Sequence, residues 1–261
     1  MSGETTGTNR RWTEALPHEP SFPPVFGLIA PVEEAYASLI YSGAPDRGNL
    51  LGTGLGESGL GGNLLYVGEL DQQATQLVRA ANIAGAATLA ASHNPAALRK
   101  ALREGVIDFL VNSLDEALRI LKNELRKRQP VAVAVSVEPG TILHQMIERG
   151  VLPDLLPPES SAAPPEFANF LTQGTRRIEA PPSPRAATLL IWPIPSEFTQ
   201  RPADFEVQLL ETLPVDDHAS RRWLRLSPRY LDGSARRYRS LACGSEGAAK
   251  LIARFPNPLR T

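Results

Sequence analysis

A chain of 261 residues is long enough for one large or two ordinary domains with real cores. Its 42% apolar and 21% charged residues exclude wholesale disorder, and its single cysteine excludes an intramolecular disulfide or a cysteine cage for zinc or iron–sulfur. No apolar run approaches the ~18 residues of a membrane span, and the opening MSGETTGTNRRW has no apolar stretch, so neither membrane insertion nor a secretory signal is expected and the cytoplasm is the expected location. The net charge of −1 hides an uneven distribution: residues 219–261 carry ten Lys/Arg against Asp232 and Glu246, a local +8, which leaves −9 on the first 218.

Taken in chain order, residues 1–24 are polar and contain Pro17, Pro20, Pro23 and Pro24, which reads as an extended arm. Val25–Ala30 and Pro31–Ser42 read as a strand followed by a helix. Asn63–Val67 is a short apolar strand, and Asp71–Ala84 is a helix with Leu77, Val78 and Ala81 at helical spacing and Gly85 as its stop. Ala86–Ala91 is the next strand. Asn94 then caps a helix with Pro95 in its first turn and Gly105 as its stop.

Val106–Val111 is a third strand, and Ser113 with Glu116 forms a capping box for a helix striped by Leu114, Ala117, Leu118, Leu121 and Leu125. Val131–Val137 suits a strand buried on both faces, Thr141–Arg149 is a short helix, and Val151–Leu156 is a fifth strand. Five strands alternating with four helices through short connections predict an α/β domain with a doubly wound parallel sheet. Prolines from Pro153 to Pro184 mark a break, with residues 176–187 as the linker. Beyond it, Thr188–Ile194 and Tyr238–Cys243 read as strands, Asp216–Leu226 and Ser245–Phe255 as helices, and Asp204–Leu213 as either. The expected organisation is an arm (1–24), a Rossmann-like domain (25–175), the linker (176–187) and a small α/β region (188–261), so small α/β elements flank the main domain.

The middle segment, residues 63–174, resembles the Rossmann-like NAD-binding domain of the urocanase (urocanate hydratase) family. The resemblance rests on Ala84-Gly85-Ala86, Asn94-Pro95 in place of an Asp-Pro, Ile107-Asp108, the Leu114–Leu118 helix start, the strand from Pro130 and the stretch Glu148–Leu155. Asn169-Phe170-Leu171 with Gly174 gives a weaker echo. The resemblance implies a Rossmann fold, NAD as cofactor and the addition of water to urocanate, with the substrate gripped by a separate domain that a chain of this length is not expected to hold.

The departures fall on the positions that the resemblance assigns to NAD. The family's glycine run after the first strand lets backbone N–H groups approach a pyrophosphate. Here that stretch is Gly68-Glu69-Leu70-Asp71-Gln72-Gln73, with one glycine and two carboxylates. Ser92-His93-Asn94 stands where a ribose-binding carboxylate is expected, and Val137-Glu138 replaces a Gly-Asn. Pro158–Ala163 replaces an Asp-Gln-Thr-Ser-Ala-His run. The packing positions persist, so no cofactor is expected, and NAD enters only through the resemblance.

Other motifs have plainer explanations beside functional ones. Gly54, Gly56 and Gly59 spell G-x-G-x-x-G, but they precede the strand, which reads as a flexible entry loop that would reach a ligand only by folding back over the C-terminal edge of the sheet. Of His18, His93, His144 and His218, only His93 sits at a strand's C-terminal end, where doubly wound folds bind ligands. A loop histidine is nevertheless the simpler reading. Cys243 at a strand–helix junction is a buried thiol unless a base accompanies it. The arginines from Arg221 to Arg239, interleaved with Trp223, Tyr230 and Tyr238, suit docking within the fold or onto a protein better than nucleic acid.

The functional expectation is a diverged urocanase-like protein without conventional NAD-dependent hydratase activity, acting in binding or assembly. The alternative is a lyase or other small-molecule enzyme with a modified pocket at the strand C-termini. The candidate positions are Gly68, Glu69, Ser92, His93, Val137 and Glu138, with no metal. A small molecule, a protein partner and a second copy of the chain are open as partners; a membrane is not expected.

Overall fold

The computed structural model describes residues 24–43, 59–158, 164–181 and 188–260. The N-terminal arm up to residue 23, Gly54 and Gly56, most of the Pro158–Ala163 run and His18 lie outside the described residues. The main sheet has six parallel strands: β1 (Leu64–Glu69), β2 (Ala87–Ala91), β3 (Phe109–Val111), β4 (Val131–Val135), β5 (Leu155–Leu156) and β6 (Arg176–Arg177), in the order β3-β4-β2-β1-β5-β6. Five helices connect them: α2 (Gln72–Ala84), α3 (Pro95–Arg103), α4 (Leu114–Lys127), α5 (Pro139–Glu148) and α6 (Phe167–Thr172).

The local reasons are those of the sequence. Asn94 accepts N–H groups from Ala96 and Ala97, and Ser113 accepts from Glu116 N–H, while the Glu116 carboxylate accepts from Asn112 N–H. Gly85 ends α2 in the left-handed region at φ +97°, where a side chain would be strained. β2 and β4 are buried at every residue, as the alternation of small and β-branched side chains in β4 anticipates for that strand.

Helix placement follows strand order. α2 and α3 pack on one face, sharing a core with Leu65, Val67, Ala90 and Ala132. α4, α5 and α6 pack on the other with Tyr66, Leu89, Val133 and Leu156. Right-handed crossovers require this division, because the chain moves outward from β1 to β3 and then returns through β4 to the far side of β1.

The residues that carried the family resemblance have structural duties at the sheet's N-terminal edge. The Asp154 carboxylate accepts from Leu64 N–H at 2.7 Å, and the Asp108 carboxylate accepts from Ala132 N–H at 2.8 Å. Each pins the first residues of a strand.

Two elements depart from expectation, and a third that the sequence left open is decided. Val25–Ala30 is not a strand: residues Pro24–Gly43 form one helix, α1, that continues through Pro31. Its buried residues Val25, Phe26, Ile29, Val32, Tyr36, Leu39 and Ile40 keep helical spacing across the proline. The ring removes one N–H and crowds the carbonyl four residues back, but packing against α2 retains the helix. Second, Arg176 and Arg177 are not linker; they form β6 and pair with Leu155 and Leu156. Third, the ambiguous stretch near 204–213 is helical, as α7 (Pro202–Leu210).

The C-terminal region is a three-stranded antiparallel sheet, order β8-β7-β9, made of β7 (Thr188–Pro193), β8 (Tyr238–Cys243) and β9 (Leu259–Arg260), with α8 (His218–Tyr230) and α9 (Ser245–Arg254). Its buried Trp223, Leu224, Leu190 and Ile191 belong to the same core as α1 and α2.

Candidate functional site

In a doubly wound sheet, ligands enter where neighbouring strands send their next helices to opposite faces. Two such crevices exist here, between β2 and β4 and between β1 and β5. The first receives Ser92, His93 and Glu138; the second receives Gly68, Glu69 and Asp71. The candidate residues therefore split between adjacent crevices along one edge.

β1 ends in a bulge at Gly68, where the register slips and φ is +76°. A Cβ built there would meet nothing within 4 Å. The glycine thus serves the bend and not a close approach to a neighbouring group. Leu70 then turns inward, 5% exposed, with its N–H on the Ala91 carbonyl at 3.2 Å.

Asp71 is the N-cap of α2. Its carboxylate accepts from Ala74 N–H at 2.8 Å, and the Thr75 hydroxyl donates to its carbonyl at 2.7 Å. A pyrophosphate at this helix end would meet that carboxylate and the exposed Glu69. At an effective dielectric of 20, each like-charge pair about 4 Å apart opposes binding by about 4 kcal/mol. The residues present do not fit the dinucleotide's anionic centre.

At the neighbouring crevice His93 Nδ1 lies 2.9 Å from a Glu138 carboxylate oxygen. Both side chains are largely exposed, at 74% and 60%, so the pair stabilises the fold by no more than about 1 kcal/mol. Ser92 beneath it is fully buried, and its hydroxyl accepts from Asn94 N–H at 3.1 Å, which commits it to the turn into α3. Half-buried Val137 packs against the core on the α4–α5 face. Sequence reasoning did not single out Tyr66. Its hydroxyl donates to the Pro139 carbonyl at 3.1 Å, and burial, with the Glu69 and Glu138 carboxylates adding to it, holds the phenol above the usual range. Both carboxylates thus act electrostatically on one buried phenol. Two hints were legible in advance: a tyrosine three residues from the end of β1 and a proline opening α5.

The remaining motifs lie elsewhere. Gly59 sits at the opposite, N-terminal edge, so this part of the glycine-rich stretch does not fold over the ligand-binding edge. An added Cβ there would stand 2.3 Å from the Ala84 carbonyl oxygen, and the adjacent Leu60 N–H donates to that oxygen at 2.7 Å. His144 accompanies the Gly140 carbonyl and Glu166 on the outer face of α5, and His218 is the first residue of α8. Cys243 ends β8 in the other sheet. Among the described residues, no three His, Cys, Asp or Glu side chains group to hold a metal, and no helix is long and apolar enough to cross a membrane.

The basic C-terminal segment is engaged with the main domain. Arg222 of α8 donates to the Ile83 carbonyl at the end of α2 at 2.6 Å, and Arg79 of α2 donates to the Tyr230 carbonyl at the end of α8. Each helix thus supplies an arginine to the other's carbonyl end, where the dipole favours a cation. Arg221 donates to the Leu210 and Leu213 carbonyls, and Arg239, 6% exposed, faces Glu206 at 3.4 Å. Arg225, Arg229, Arg236 and Arg237 remain exposed.

Compared with known protein families, residues 52–177 match the urocanase Rossmann-like domain.

Proposed function

Residues 52–177 belong to the urocanase family as its Rossmann-like domain, and from that premise we propose that this chain is a diverged relative that has set aside the dinucleotide-dependent hydration of urocanate. It acts as a binding or assembly protein built on the family scaffold. One observation carries the reading: the Asp71 carboxylate occupies the helix terminus where the cofactor's pyrophosphate would bind. The contrast between the two sheet edges supports it. Asp108 and Asp154, which the family pattern shares, hold strands in place, whereas the departures gather on the ligand-binding edge.

A second reading has its own observation. Glu138 beside His93 Nδ1 would fix the imidazole and leave Nε2 facing the crevice, the arrangement of a general base and its orienting carboxylate. In that reading the chain is a small-molecule enzyme with a remodelled pocket. Urocanate absorbance separates the two. With the full chain and added NAD, the first reading expects no protein-dependent loss. A loss abolished by heat denaturation and by His93→Ala would establish the second.

A further inference from the structure

A cleft lies away from the ligand-binding edge of the main sheet, where the C-terminal region packs on α1. It encloses about 520 Å3, its mouth included. Tyr36, Ile40 and Tyr41, on successive turns of one face of α1, form one wall. Ser220 and Trp223 of α8 and Leu241 of β8 form the other. Junctions between packed units are preferred places for small-ligand clefts.

The two largest rings in these walls have already used their polar atoms. The Tyr36 hydroxyl donates to the Ala219 carbonyl at 2.8 Å, and the Trp223 indole N–H donates to the Ser240 carbonyl at 3.0 Å. The rings stand 5.2 Å apart, tilted by 49°, and what they offer the cleft is apolar surface. Ser220 is different. It is only 8% exposed, yet its hydroxyl has no hydrogen-bond partner among the described residues; its N–H alone is engaged, on the Asp217 carboxylate at 3.0 Å. A helical serine commonly returns its hydroxyl to the carbonyl four residues back, and here that bond to Asp216 is not made. A buried hydroxyl without a partner is costly, so a ligand that supplies one meets a need the fold leaves open. The half-buried Tyr41 hydroxyl likewise has no partner among the described residues.

Charge narrows the ligand. Among the described wall residues Glu33 alone is charged, and with the Asp217 carboxylate at the start of α8 it opposes an anion. The Arg222 guanidinium, which acts electrostatically on Tyr36, opposes a cation. The Ser220 and Tyr41 hydroxyls can each donate and accept, which matches a head that does both, a hydroxyl or an amide.

We propose that this cleft binds a small uncharged aromatic molecule, its ring against Tyr36 and Trp223 and its hydroxyl or amide head on the Ser220 hydroxyl. The inference stands apart from the cofactor question, because no residue of the sheet's C-terminal edge takes part.

The test is a ligand-observed NMR titration of the full chain with benzamide, benzoate and benzylamine, which share a ring and differ in charge. Benzamide should saturate one site with a Kd of about 1 mM or tighter, and the two ions should bind at least about tenfold more weakly. Ser220→Ala should keep the wild-type Tm and weaken benzamide about fivefold to tenfold. Ala37→Trp, at a half-buried position in the same wall, should plug the cleft and abolish binding. His93→Ala, at the other edge, should leave binding unchanged. No saturable benzamide binding by about 10 mM overturns the proposal. So does an ion that binds as tightly as benzamide, or benzamide binding that survives both Ser220→Ala and Ala37→Trp or is lost in His93→Ala.

Discussion

Deleting residues 219–261 should destroy the rest of the fold, not release it. The segment contributes six large apolar side chains to the shared core, Trp223, Leu224, Leu231, Leu241, Leu251 and Phe255, none more than 9% exposed. At about 1.5–3 kcal/mol each, their burial amounts to on the order of 10 kcal/mol, comparable with the entire stability of an ordinary domain. The deletion also strips β8 from β7 along six paired residues and removes the Ala219 carbonyl that Tyr36 donates to at 2.8 Å.

A 1–218 fragment should therefore elute as aggregate on size exclusion and bind a hydrophobic dye. The milder Trp223→Ala isolates the same contact. It empties a site where the indole N–H donates to the Ser240 carbonyl at 3.0 Å and the ring packs 5.2 Å from Tyr36. A loss of about 3–5 kcal/mol is expected, or about 6–20 °C in Tm at 2–4 °C per kcal/mol, within a single transition. A soluble, monodisperse 1–218 fragment with intact near-ultraviolet circular dichroism would refute the reasoning. So would a Trp223→Ala melt that splits and leaves an unshifted upper transition.

Two further expectations concern single carboxylates. Asp71→Ala removes the cap of α2 and should lower stability in urea by about 1 kcal/mol; no change would mean that the cap does not hold the helix terminus. Burial pushes the Glu206 carboxyl above its usual range against the pull of Arg239. Because the folded value is the raised one, the stability this group contributes is complete below the ordinary glutamate value near about 4.3 and is lost as pH rises through the raised value. Glu206→Gln, which cannot ionise, should therefore gain on wild type as pH rises from about 4 to 7; a drift in wild type's favour would show that the Arg239 attraction prevails.

The doubly wound sheet was legible because each of its helices and strands carries its own period and punctuation. Asn94, Ser113 and Gly85 act as the caps and stop their types suggest. What misled was local chemistry overridden by packing. Val25–Ala30 is apolar enough for a strand and ends at a proline, yet burial at 25, 29, 32, 36 and 39 keeps a helical rhythm through Pro31. Tracing that period across the proline would have found α1. β6 is two arginines long and has no apolar signature, so only its pairing with β5 reveals it.

At the candidate site, the sequence placed His93 and Glu138 after β2 and β4. Their meeting depends on β4 lying beside β2, a strand order that spacing alone does not encode. The arginines of α8 were legible as a docking surface. Arg222 bonds across to the main domain at a carbonyl oxygen of a helix end, a partner that the −9 charge of the first 218 residues did not suggest.

The account turns on whether the helix terminus capped by Asp71 still accepts a dinucleotide. Isothermal titration of the purified full chain with NAD, together with assay of the supernatant after denaturation, measures this directly. The expected result is no released NAD and a Kd weaker than about 100 μM, roughly 5.5 kcal/mol of binding free energy. One equivalent of NAD released per chain, or a Kd in the low micromolar range, would contradict it.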